Sequence, residues 1–207
     1  MPFLIFGLSV IVISILSYYR KRHTTLQEKA DQDFWTRESE ANSVRRKDIS
    51  GLSYINIPLE LFSTVSDSDT ILKNAFSELE ALHDKKILNL GRQTNTDLKL
   101  QYGPANLPAL TEYDQNYSDL LQIITTYVNR LIEMDRMSDA IPILEFAISC
   151  GSDVSSHYTI LAGYYKDTNA TDKFASLKEQ AQALDSIMQP TILEKLNTIE
   201  AETLHIN

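Results

Sequence analysis

The chain has 207 residues, a net charge of −9, four histidines and one cysteine. The acidic balance disfavours nucleic-acid partners, and Cys150 alone cannot form an intrachain disulfide, which fits a reducing compartment. With the apolar N-terminal segment set aside, the length suits one domain of ordinary size rather than two.

That segment, Phe3 to Tyr19, carries no charge, and its only polar groups short of the tyrosines are Ser9, Ser14 and Ser17. A membrane span needs roughly 17–25 such residues, so the run is just long enough. Tyr18 and Tyr19 stand where an aromatic belt meets headgroups, and Arg20, Lys21 and Arg22 follow at once. These five are the expected membrane-interface residues. No basic residues precede the run and no small-x-small site follows it, so it reads as an uncleaved anchor (residues 1–19) rather than a signal peptide. Cations on the far side predict an N-terminus outside and a cytoplasmic body. Arg20 to Asp48 holds 8 basic and 6 acidic residues, whereas Ile49 onward holds 11 basic and 22 acidic. The body is therefore acidic and should stand off anionic lipid.

Residues 20–44 form a basic juxtamembrane turn and a helical stalk: good helix formers, no Gly or Pro, mixed-sign charge. Trp35 with Arg37 reads either as part of a solvated face or as a docking point against the body. Residues 45–112 change character. Ile55, Ile57, Leu59 and Leu61 alternate with more polar partners, the period of an extended strap, and Pro58 restricts it to an edge. Leu98 to Tyr102 alternates too, so residues 54–61 read either as a strap laid on the body or as an edge strand paired with that stretch in a small two-stranded element. The polar stretch after Phe62 offers Ser66, Asp67 and Ser68 as N-caps for a helix whose apolar face runs from Ile71 to Leu82. Gly103-Pro104 and Leu107-Pro108 mark a turn-rich connection.

Residues 113–207 are helical throughout. Tyr117 to Met134 is apolar over more than one face, so it should have neighbours on two sides. Asp139 is the expected cap of the next helix, because that places Pro142 in the first turn. Cys150 is a small buried residue at its end, and Gly151 supplies a left-handed stop. Ser155 or Ser156 caps a third helix, Asn169 or Thr171 a fourth, and Pro190 opens a fifth. The overall expectation is all-α.

At a spacing of 34, Ile124, Tyr127, Val128, Leu131, Ala140, Leu144 and Ala147 fall opposite Tyr158, Leu161, Ala162, Tyr165, Phe174, Lys178 and Ala181, and six of the seven pairs stay apolar. Over residues 119–190 this resembles the tetratricopeptide repeat, with Tyr158-x-x-Leu161-Ala162-x-x-Tyr165 as the closest match. Lys178 and Phe174 depart from the pattern, and Ser152 and Ser186 stand where a proline commonly closes a repeat. The resemblance implies a groove for a protein or peptide partner along the exposed row of the first helices: Gln122, Thr125, Asn129, Glu133, Thr159 and Lys166. The row has no cation cluster, which disfavours a carboxylate-gripping mode. The strap could also fill it.

Chemistry is sparse. His23, His83, His157 and His205 are isolated, no glycine-rich phosphate loop occurs, and no serine sits in a nucleophile elbow. No catalytic residue, metal or cofactor is expected, and His157 at a helix start reads as a surface or capping residue. The sequence points to a membrane-anchored interaction or scaffold protein. The alternatives are an accessory subunit of a membrane complex held by its anchor, and a tethered enzyme whose site is assembled from distant residues.

Overall fold

The computed structural model describes residues 2–62 and 69–204; the side chains of residues 2–14, 21, 23, 25, 26 and 202–204 lie outside that description, as do Ser66, Asp67 and Ser68. The described residues hold eight α-helices: α1 (Pro2–Ser43), α2 (Thr70–His83), α3 (Asn95–Tyr102), α4 (Leu107–Glu133), α5 (Met137–Ser149), α6 (Ser155–Asp167), α7 (Thr171–Gln182) and α8 (Gln189–Leu204). None of them is a strand, so the all-α expectation holds and the two-stranded element does not. Among the described residues no helix is long and apolar enough to cross a membrane. Most side chains of the Phe3–Tyr19 run lie outside those residues.

Two compact units divide the chain: Met1–Asp48 with Thr94–Leu107, and Ile49–Gln93 with Pro108–Asn207. In the first, α1 is a single helix of 42 residues, about 63 Å at 1.5 Å per residue. The predicted stalk is thus helical, and it continues the apolar run without a break. Its C-terminal end packs on α3, burying Ala41 fully, while Lys99 and Thr96 bond Glu38 and Arg37 pairs with Asp97. The segment after α1 is pinned by Asn106, whose amide donates to the Lys47 and Tyr102 carbonyls at 2.8 and 2.7 Å. Gly103 is irreplaceable there: its φ is +87°, and a Cβ would lie 2.7 Å from the Arg45 carbonyl oxygen.

Leu98 to Tyr102, the alternating stretch offered as the strap's strand partner, lies in α3. Thr94 and Asp97 form a reciprocal capping box that fixes the helix start, which outweighs a five-residue alternation. The strap expected over residues 54–61 is irregular and ends in a 3-10 turn at Leu59–Leu61. It belongs to the second unit, where Ile55 donates to the Ile87 carbonyl at 2.9 Å, and Ile57 and Phe62 are buried. Tyr127 of α4 is fully buried and donates its hydroxyl to the Phe62 carbonyl.

α2 is capped by Asp69, which accepts from the Ile71 and Leu72 amides at 3.0 Å and is also held by Arg130 of α4. α4 begins at Leu107, ten residues before the expected start, with Pro108 in the first turn where a missing N–H costs nothing. α5 begins at Met137, so Pro142 is interior rather than first-turn. It sits on an exposed face, beside an exposed Ser138 whose carbonyl water can reach.

α4, α5 and α6 close in one repeated way, whereas α7 ends on Ala183 in a right-handed conformation at φ −82°. After α4 the Arg136 amide donates to the Leu131 carbonyl at 2.9 Å, with Asp135 at φ 57°; 34 residues on, Ala170 donates to Tyr165 at 2.8 Å, with Asn169 at φ 53°. Gly151 closes α5 in the same manner at φ 78°, with Ser152 donating to Ala147 at 3.1 Å. Each is a left-handed residue that lets the chain reverse while satisfying terminal carbonyls. A second recurrence follows at the next junction, where the Ser152 hydroxyl accepts from the Val154 amide and Ser186 accepts from Met188. Five of the seven 34-spaced pairs are buried at both members, among them Ile124 and Tyr158 at 0% and Ala147 and Ala181 at 0%, whereas Phe174 and Lys178 are half-buried opposite the buried Ala140 and Leu144. Lys178, the apolar position that departs, reaches Glu200 of α8 at 2.6 Å. α6 packs against α5, α7 and α8.

Candidate functional site

The expected groove residues are not gathered into one channel. Gln122 is exposed and lines a hollow of about 350 Å³ between α2 and α4. Asn129 and Glu133 are exposed, with Glu133 ion-paired to Arg130 at 2.8 Å. Thr125 is half-buried and committed to the interior, and Thr159 bonds its own helix at Ser156. Lys166 lines a separate hollow of about 370 Å³ with Phe174 of α7 and Asn197 of α8. The strap does not cover the row, since it packs toward Ile87 and α5. Of the membrane-interface set, Tyr18, Tyr19, Arg20 and Arg22 are exposed, while the Lys21 side chain lies outside the described residues. Trp35 is 67% exposed rather than packed.

His157, expected at the surface, is 1% exposed and joins three elements. Its Nε2 lies 2.9 Å from Thr125 Oγ1 of α4, and its Nδ1 lies 2.8 Å from the Ser152 hydroxyl in the α5–α6 turn. Thr125 spends its own proton on the Leu121 carbonyl at 2.7 Å, so it must accept from Nε2–H. In the neutral ring, the form that burial favours, this is the Nε2–H tautomer, with Nδ1 accepting from Ser152. Burial pushes the imidazole down to about 4, against a smaller opposing pull from Asp153. A base this weak, with both nitrogens satisfied, is a positioning element of the interior. No sequence pattern announces it, because its partners lie 5 and 32 residues away.

A concavity of about 920 Å³ opens beside this relay and is walled by residues 88–92, α4, the α5–α6 turn and the α7–α8 turn. Asn89 organises it: its amide donates to Tyr117 Oη at 3.0 Å and to the Cys150 and Gly151 carbonyls at 3.2 and 3.3 Å. Asp114 accepts from the Leu90 amide, and Asp153 accepts from the Ser186 hydroxyl at 2.6 Å. Burial raises the Tyr117 phenol and pushes the Cys150 thiol up to about 11, so both stay protonated near neutrality. The cleft offers hydrogen-bonding walls, and neither Tyr117 nor Cys150 is activated there as a nucleophile. Among the described residues no three His, Cys, Asp or Glu side chains converge as a metal site.

No family model, no curated protein and no solved structure matches this chain.

Proposed function

We propose that the chain is a membrane-anchored interaction protein, in which an N-terminal helix holds a tetratricopeptide-like helical body at the cytoplasmic face to recruit or position a protein or peptide partner. The observation that supports this reading is the 34-residue recurrence, in which five of seven pairs buried at both members, the left-handed turns at Asp135 and Asn169, and the junctions at Ser152 and Ser186 repeat together. Stacked hairpins of that kind leave the outer row of their first helices at the surface, and Gln122, Asn129 and Glu133 are exposed there. Anchoring rests on the uncharged Phe3–Tyr19 run and the three cations that follow. It is supported by one continuous α1 and by exposed Ile15, Leu16, Tyr18 and Tyr19 at the end of the run.

Photo-crosslinking from Asn129 in intact membranes tests the partner role. A discrete adduct is expected, absent when the crosslinker stands instead at exposed Gln180 on α7. Equal, diffuse labelling from both positions refutes it.

A further inference from the structure

We infer that the α1 face bearing Phe34 and Trp35 docks a basic amphipathic helix of a partner protein, an inference that deepens the anchored-interaction reading and rests on it. The two rings pack edge to face at 5.4 Å, yet they are 54% and 67% exposed. Such a pair is costly to leave in water and is the kind of anchor around which interfaces form. The helix beneath them needs support as well. Thr24, Thr25, Asp31, Asp33, Phe34, Trp35 and Thr36 are weak helix formers, so intrinsic propensity does little to hold this stretch and packing of its apolar face would add most.

Charge selects the occupant. Asp31 lies one turn before both rings, at i−3 from Phe34 and i−4 from Trp35, and Glu28 lies two turns before Trp35. Glu38, one turn after, is held by Lys99, and Arg37, on the far side of Phe34, by Asp97. Lys29 points well round the helix from both rings. The aromatic face is therefore flanked by acid. A second copy in the same membrane would run parallel and set Asp31 and Glu28 against themselves. A helix with apolar residues on one stripe and Lys or Arg beside it satisfies both features of the face.

Trp35 is the only tryptophan in the chain, so its emission reports this face alone. The full chain in zwitterionic nanodiscs is titrated with a synthetic Leu/Lys amphipathic peptide and with a Leu/Glu peptide of the same pattern. Co-elution with the nanodisc reads anchoring separately. The expected result is a saturable shift to shorter wavelength with Leu/Lys only. It should weaken as salt rises from roughly 0.1 M to 1 M, which cuts the screening length from about 10 Å to 3 Å. Glu28→Lys with Asp31→Lys should abolish the shift while leaving circular dichroism unchanged. The inference is overturned by no shift, by a shift that survives charge reversal, by blue emission that grows with protein concentration alone, or by blue emission already present in the dilute chain.

Discussion

Acid should unfold this protein through His157. In the native chain the imidazole is neutral, donating from Nε2 to Thr125 and accepting at Nδ1 from Ser152, and burial holds it at about 4 against an ordinary 6.5. A depressed histidine contributes stability that is complete above pH 6.5 and is lost as pH falls toward 4, because the unfolded chain binds the proton first. At about 1.4 kcal/mol per pH unit, the gap is worth about 3 kcal/mol, of which about 2.5 kcal/mol is lost between pH 7.5 and pH 4.5. Carboxylates titrate in the same window, so the quantity to read is a difference. Urea unfolding of wild type and His157→Gln at both pH values should show the substitution costing about 2.5 kcal/mol less at pH 4.5 than at pH 7.5. A cost independent of pH would refute the buried neutral tautomer.

Tyr127→Phe leaves the Phe62 carbonyl without its donor and should cost about 1–2 kcal/mol, with faster hydrogen exchange across Ile57 to Phe62. Gly151→Ala should destabilise by more than about 1 kcal/mol in a thermal melt, since φ is +78° and the new Cβ would lie 2.9 Å from Asn89 Nδ2. Gly163→Ala, mid-helix with nothing within 4 Å, should instead gain up to about 1 kcal/mol. The Cys150 thiol, pushed up to about 11, should react with iodoacetamide roughly a hundredfold more slowly in the native chain than in urea.

What could be read in advance followed from how local the deciding interaction is. The apolar register from Ile124 to Ala181 was legible because most buried positions recur within a helix and again 34 residues on, Phe174 and Lys178 being the half-buried exceptions. The Gly151 stop was legible because a left-handed terminus needs a residue without Cβ. α3 carries two conflicting local signals: Leu98, Leu100 and Tyr102 alternate with the period of a strand, while the Thr94-x-x-Asp97 box starts a helix, and the box prevails. The first-turn rule places Pro142 at a helix start, and Leu107-Pro108 reads as a turn, yet it is Pro108 that lies in the first turn of α4 and Pro142 that lies inside α5. The rule says where a proline is tolerated, and packing decides where the helix begins. The His157 relay and the Asn89 clamp were beyond reach, since each is made by segments that meet only in the folded chain. The outer row was legible as a helical face, but its division into separate hollows depends on how α2 and α8 pack beside it.

The anchored body is tested most directly by placing one reporter at its far end. With Cys150→Ser and Asn207→Cys in the full chain, the new thiol should resist an impermeant maleimide in intact cells and label once the membrane is opened, while the protein stays in the membrane fraction through an alkaline wash. Labelling in intact cells, or recovery of the chain in the soluble fraction, would contradict the account.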